Sequence, residues 1–238
     1  MDSTLIELWV YLARDPLLHL TLTLLAYWFG VTLHQWSGQS AIVNPVVIAI
    51  GLLVSLLLIT ETSYIRYFEG AQFIHFLLGP ATVALAVPLY QHFGRIRSQL
   101  LPIMAGLLAG SLTAIISATG LVWLLGGSRE TLVSMAPKSA TTPVAMGIAE
   151  QLGGLPSLTA VLVIMTGIIG AVTGPLLLRG LRIDDEPACG LALGVASHGI
   201  GTARAFQSSD LAGAFSGLGM GLNALLTALL VPVILQWL

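Results

Sequence analysis

The sequence predicts an all-α integral membrane protein: about six full transmembrane helices plus two opposed re-entrant hairpins of broken helix, related as an inverted repeat. Three observations predict it. Of 238 residues, 56% are hydrophobic and 8% are charged, where soluble domains carry about a quarter charged. Apolar runs of roughly 20 residues, the length that crosses about 30 Å of hydrocarbon, recur along the chain. Two polar stretches interrupt them, PKSATTPVAMGIAEQLGG (Pro137 to Gly154) and SHGIGTARAFQSSDLAG (Ser197 to Gly213), and they align at a constant offset of sixty. At that offset Thr142 meets Thr202, Ala145 meets Ala205 and Gly153 meets Gly213, while Lys138 meets His198 and Glu150 meets Asp210.

The chain reads as one membrane domain, 1–238. Residues 1–15 hold an apolar helix too short to span, expected to lie in the interface with Trp9 and Tyr11 as anchors. The start does not read as a secretory signal, since Asp2 and Glu7 precede any basic residue. The N-terminal helices occupy 16–125. Pro16 to Trp36 is long enough to cross, and Asn44-Pro45 opens a second span to about Thr60. Glu61, Arg66 and Glu69 mark a headgroup-level loop before a third span, Ala71 to Phe93, which contains Gly79-Pro80 and Pro88. That span also resembles the first interrupted stretch, so a re-entrant course for 62–93 stays open. Leu100 to Leu125 carries Gly106 and Gly110 four apart, the spacing that admits a second helix closely.

A hairpin-plus-helix unit follows over 129–180: the interrupted segment Arg129 to Leu152, then Leu158 to Leu178 with Gly170 and Gly174. After Asp184-Asp185-Glu186 a second such unit occupies 188–238, with the break between Ala188 and Ser208 and a last helix whose Gly213, Gly217 and Gly221 read as a packing seam. Charge favours the hairpin reading. If 129–152 enters and leaves on one side, the Arg95/Arg97 and Arg179/Arg182 loops both become cytoplasmic, as the positive-inside tendency requires. The second hairpin then enters from the face opposite the first, and the two meet near the midplane.

A net charge of -2 offers no basic surface for nucleic acid. The single Cys189 excludes an internal disulfide, and the scattered histidines give no metal-ligand pattern. Ser139 beside Lys138 is not read as a hydrolase pair, because adjacent helical residues point apart and no oxyanion donor is evident. No catalytic residue, enzyme activity, metal or cofactor is expected.

Binding is the chemistry that the two stretches suggest. Thr142 before Pro143 reads as a helix N-cap, with Thr202 its counterpart, and Gly199 and Gly201 read as the turn in the second stretch. Two helix N-termini, with Lys138, His198 and Arg204 near them, suit a small carboxylate. Arg204 has two readings, a bidentate clamp or a structural bridge to Glu150 or Asp210; His198 is a coupling-proton carrier or a bonded core residue. Coupling to H+ or Na+ is expected on the transport reading.

At these residues the chain resembles the LrgB/CidB family of bacterial membrane proteins. The resemblance rests on PKSATTPVAMGIAEQLGGLPSLTAV (Pro137 to Val161), GLALGVASHGIGTARAF (Gly190 to Phe206), HFLLGPATVALAVPLY and TGIIGAVTGPLLL, and covers about 44–238. It implies a multi-pass protein of the bacterial inner membrane, partnered by a smaller holin-like LrgA/CidA protein and linked to murein hydrolase activity and lysis. A plastid relative implies glycolate/glycerate transport, and bacterial relatives imply pyruvate handling. The motif residues fall on Lys138, Ser139, Thr141, Thr142, Pro143, Ser197, His198, Gly201, Thr202 and Arg204. Two functions follow: a secondary transporter of a small monocarboxylate, expected as a homo-oligomer in lipid, or a regulatory partner of a holin-like protein without a substrate of its own.

Overall fold

The computed structural model describes residues 16–38 and 43–237; the expected interfacial helix of 1–15 lies outside the described residues. All regular structure among them is helical: α1 (Pro16–Trp36), α2 (Pro45–Ile59), α3 (Tyr64–Ala84), α4 (Ala86–Gln91), α5 (Phe93–Ser98), α6 (Leu100–Leu124), α7 (Arg129–Met135), α8 (Thr142–Gln151), α9 (Pro156–Gly180), α10 (Glu186–Ser208) and α11 (Asp210–Leu235). Four of the described helices, α1, α6, α9 and α11, are long and apolar enough to cross a membrane; Tyr64–Ile74 with Gly79–Gln91 makes a fifth only when taken as one span. The sequence expectation of six full spans therefore falls short on length. The 15 residues of α2 reach about 22 Å at 1.5 Å per residue, against roughly 30 Å of hydrocarbon.

Local chemistry sets the helix ends. Asn44 accepts from the Val46 and Val47 amides ahead of α2, Ser128 from Thr131 ahead of α7, Asp185 from Ala188 ahead of α10, and Ser209 from Ala212 ahead of α11. Four of the described helices stop in the same way: a residue at positive φ (Glu61, Gly126, Gly153, Arg182) is followed by an amide that reaches back five residues, as Gly154 does to the Ala149 carbonyl at 2.7 Å. This is the geometry that satisfies the last orphan carbonyls.

The chain divides into two compact units, Met1–Ala84 and Leu85–Leu238. In the first, the described α1 packs on α2 and α3. Thr23 and the Tyr67 hydroxyl bond at 2.9 Å beside an edge-on His19–Tyr67 contact. The second unit has its main apolar cluster where α6, α7, α8 and α11 meet, at Ile115, Leu132, Val133, Ala136, Ile148, Val231 and Leu235.

Helix approach in this unit depends on small residues, but only in part on the seam expected on α11, where Gly213 makes room for the Phe206 ring of α10. A Cβ on Gly190 or Gly194 of α10 would run into the Ala212 or Ser216 carbonyl of α11. Gly221 has nothing within 4 Å, and Gly217 only the Leu85 side chain at 4.0 Å. The closest backbone approach is thus supplied by α10, whose glycines admit the α11 backbone.

Candidate functional site

Both interrupted segments fold back on themselves. In the first, the Ser134 hydroxyl near the end of α7 accepts from the Leu155 amide at 2.8 Å, and Thr159 Oγ1 donates to the Ser134 carbonyl at 3.1 Å. The chain has gone out through Ala136 to Thr141 and returned along α8. In the second, α10 breaks at His198, whose φ of 42° and ψ of -134° are non-helical. Its second arm returns against the first: a Cβ on Gly201 would meet the Leu193 carbonyl, Ala205 shares a cluster with Leu193, and Ser209 Oγ donates to Glu186 Oε2 at 2.8 Å.

Directions follow from residue pairing. Gly190 lies against Ala212 and Gly194 against Ser216, both numbers rising, so α11 runs parallel to the first arm of α10. Ser134 pairs with both Leu155 and Thr159, which sets the end of α7 against the start of α9. Between α9 and α10 the sense reverses: Gly174 faces Leu193, Gly170 faces Ser197 and Gly167 faces His198. Here α9 and the first arm of α10 are antiparallel.

The two breaks meet at one side chain. Asn223 of α11, 0% exposed, donates through Nδ2 to the Ser139 carbonyl in the first break at 3.0 Å and to the Val195 carbonyl just before the second at 3.2 Å. Its Oδ1 accepts from Ser111 Oγ of α6 at 2.6 Å. Val163 of α9 makes a second junction. Its carbonyl bonds His198 Nε2 at 2.9 Å, and its side chain shares a buried cluster with Ala140 of the first break. Buried polar groups need partners, so a single amide that serves two carbonyls fixes both breaks relative to α11.

The predicted residues distribute unevenly about this junction. Ser139, Ser197 and His198 are buried in it, and Thr202 joins them through its hydroxyl, which donates to the His198 carbonyl at 2.9 Å and meets Ser216 Oγ at 3.0 Å. Lys138 is half-buried in the first break, and its ammonium has no carboxylate or other bonding partner among the described residues. Arg204 lies on the second arm, its Nη1 donating to Gln207 Oε1 at 2.7 Å and its Nε buried without a partner. No ion pair joins Arg204 to Glu150 or Asp210 among the described residues, and both acids are exposed, as are Pro143 and Gly199.

The capping expectations are corrected. The N-cap of α8 is Thr141, not Thr142, and neither makes a side-chain cap bond, so the first turn of α8 is open to an outside acceptor. Thr202 caps nothing; it lies within the second arm and bonds back to the break. The turn falls on His198 rather than on Gly199 or Gly201, and Gly201 instead makes room for the Leu193 carbonyl.

Sequence reasoning missed Asn223, Ser111 and Ser216. The available signal was a polar side chain inside an apolar helix, which at membrane depth is expensive and so needs a reason. Three buried hydroxyl oxygens, of Ser139, Ser197 and Thr227, have no partner among the described residues. A cavity of about 750 Å³ lies elsewhere, between α6 and α10, with a mostly apolar lining that includes Gly106, Gly110, Ala188 and Ala192.

A family model described as the LrgB-like family matches residues 23–237. The chain is 40% identical over 217 residues to the uncharacterized protein YxaC of Bacillus subtilis, covering 91% of this chain and 94% of that one. It is 38% identical over 220 residues to the uncharacterized protein YwbG of the same organism, covering 92% and 96%. It is 34% identical over 221 residues to the holin-like protein CidB of Staphylococcus aureus, covering 93% and 96%. No solved structure matches the chain.

Proposed function

The chain belongs to the LrgB-like family of multi-pass bacterial membrane proteins, and from that premise we propose that it is a secondary transporter of a small monocarboxylate, of the glycolate, glycerate, lactate or pyruvate class. The observation that carries the reading is the junction at Asn223, where two folded-back segments bring their tips together. Each tip holds a buried serine hydroxyl without a partner among the described residues, Ser139 and Ser197. An unpartnered buried polar group costs about 1–3 kcal/mol, and a site that bonds a passing ligand explains that cost. Lys138 beside Ser139 is a cation without a counter-charge among the described residues, and the open first turn of α8 adds N–H groups without a side-chain cap. A carboxylate is an acceptor suited to each of these donor groups.

The antiparallel run of α9 against the first arm of α10 supports an inverted repeat. On this reading the two hairpins dip into the bilayer from opposite faces and alternate access about their tips, as in transporters built from opposed discontinuous helices. Coupling to H+ or Na+ belongs to the same proposal. The purified chain in liposomes is expected to take up labelled glycolate, glycerate, lactate or pyruvate. Uptake is expected to fall at least about tenfold in Lys138→Ala and Arg204→Ala, the effect of losing one charge-assisted contact of about 1.5–3 kcal/mol. Unchanged uptake in both variants removes these residues from the mechanism.

A second reading is favoured by the name holin-like carried by the CidB relatives: a regulator that assembles with a holin-like LrgA/CidA partner and controls murein hydrolase activity. The outward Gly221, with nothing within 4 Å, suits a close-packed neighbouring helix. On that reading Gly221→Leu abolishes co-purification with the partner, while Lys138→Ala leaves it intact.

A further inference from the structure

We propose that Asn223 is a latch: its amide holds the two hairpin tips as one body, and its release is the step by which they separate. Carbonyls beside a break lose the regular amide four residues on, and in a dry interior they must find another donor. The Ser139 and Val195 carbonyls find the same one, the two hydrogens of Asn223 Nδ2, at 3.0 and 3.2 Å. No other side chain among the described residues bonds to both hairpins.

The remaining end of the amide sets its orientation. Ser111 Oγ donates to Oδ1 at 2.6 Å, which turns Nδ2 toward the carbonyls and anchors the latch to α6. At their feet the hairpins are fastened by other bonds, Ser134 to Leu155 and Glu186 to Ser209. Asn223 therefore controls the tips without controlling whether the hairpins form. It touches backbone at both tips and leaves the Ser139 and Ser197 hydroxyls free, so it is a positioning residue and not a ligand for the transported anion. That transport role rests on the carboxylate reading above; the latch itself does not.

Hydrogen exchange of the full chain in detergent tests it, read on peptides covering 136–142 and 196–202. Asn223→Asp keeps the acceptor for Ser111 and loses both donors. Exchange is expected to rise about tenfold or more in both peptides together, with the peptide over 150–156 at a hairpin foot unchanged. Ser111→Ala keeps both donors, so its rise is expected to be several-fold smaller. A rise confined to one tip, no rise, or an equal rise in Ser111→Ala overturns the proposal. Asn223→Ala repeats the test without introducing charge. If neither Asn223 variant folds, the unmodified chain decides: under conditions where opening limits exchange, the two tips are expected to share one opening rate, and two independent rates overturn the latch.

In liposomes, Asn223→Ala is expected to lower the maximal uptake rate at least fivefold with KM within about twofold, because the residue does not touch the anion. A raised KM with an unchanged maximal rate overturns the positioning role. If the parent chain takes up no carboxylate, the transport reading fails, and the exchange arms still judge the latch.

Discussion

His198 occupies a backbone conformation, φ 42° and ψ -134°, that side chains with a Cβ rarely adopt. Glycine stands next to it at 199, yet the break is carried by the imidazole. Strain of about 1–3 kcal/mol persists only where the surroundings impose it, and here they do: Nε2 is held at 2.9 Å by the Val163 carbonyl, and Gly167 leaves the space that the ring fills. The usual helix ranking, with alanine about 1 kcal/mol better than glycine, is therefore expected to invert at this position. His198→Gly loses the bond and relieves the strain, and its melting temperature in detergent should exceed that of His198→Ala. The ordinary order would mean that the strain is not significant.

At the scale of elements, what matters is which glycines face a backbone. Repeated Gly-x-x-x-Gly spacings were legible on α6, α9 and α11, and the structure uses those on α6 and α9: Gly110 meets Val195, and Gly170 and Gly174 meet Ser197 and Leu193. The spacing on α11 is mostly idle, while Gly190 and Gly194 of α10, at the same spacing, admit the α11 backbone. Spacing alone carries no direction, so it cannot distinguish a glycine facing a neighbour from one facing lipid. Gly194→Ala is expected to destabilise by about 1–3 kcal/mol or more through overpacking. Gly221→Leu is expected to leave the thermal unfolding of the isolated chain within about 0.5 kcal/mol of the parent, as an outward surface change does. Equal losses in the two variants would place the packing seam on α11 after all.

For the molecule as a whole, the sequence revealed the helical class, the long apolar runs and the two breaks near Lys138 and His198, since composition and interrupted periodicity carry them. It did not reveal which residue joins the breaks. Asn223 stands in GLGMGLNALL, eighty-odd positions from Ser139, and no local pattern links them; only tertiary packing brings them together. The proposed opposed hairpins predict a topology that labelling can read. Single cysteines in loops 126–130 and 153–157 are expected to react from one side of the membrane, and those in 94–99 and 180–187 from the other, in a Cys189→Ser background. Loops 126–130 and 153–157 on opposite sides would make the first interrupted segment an ordinary crossing.

Short arms have an electrical consequence. The ten residues of α8 extend about 15 Å, roughly half of the hydrocarbon thickness. If water follows each hairpin inward, the insulating layer narrows to a septum only a few side chains thick at the level of Asn223 and Val163. A membrane voltage falls across insulation rather than across water, at about 2.3 kcal/mol per charge for every 100 mV. An anion passing that septum would meet nearly the whole voltage within a few ångströms, so its net charge together with its coupled ion would set the direction of flow.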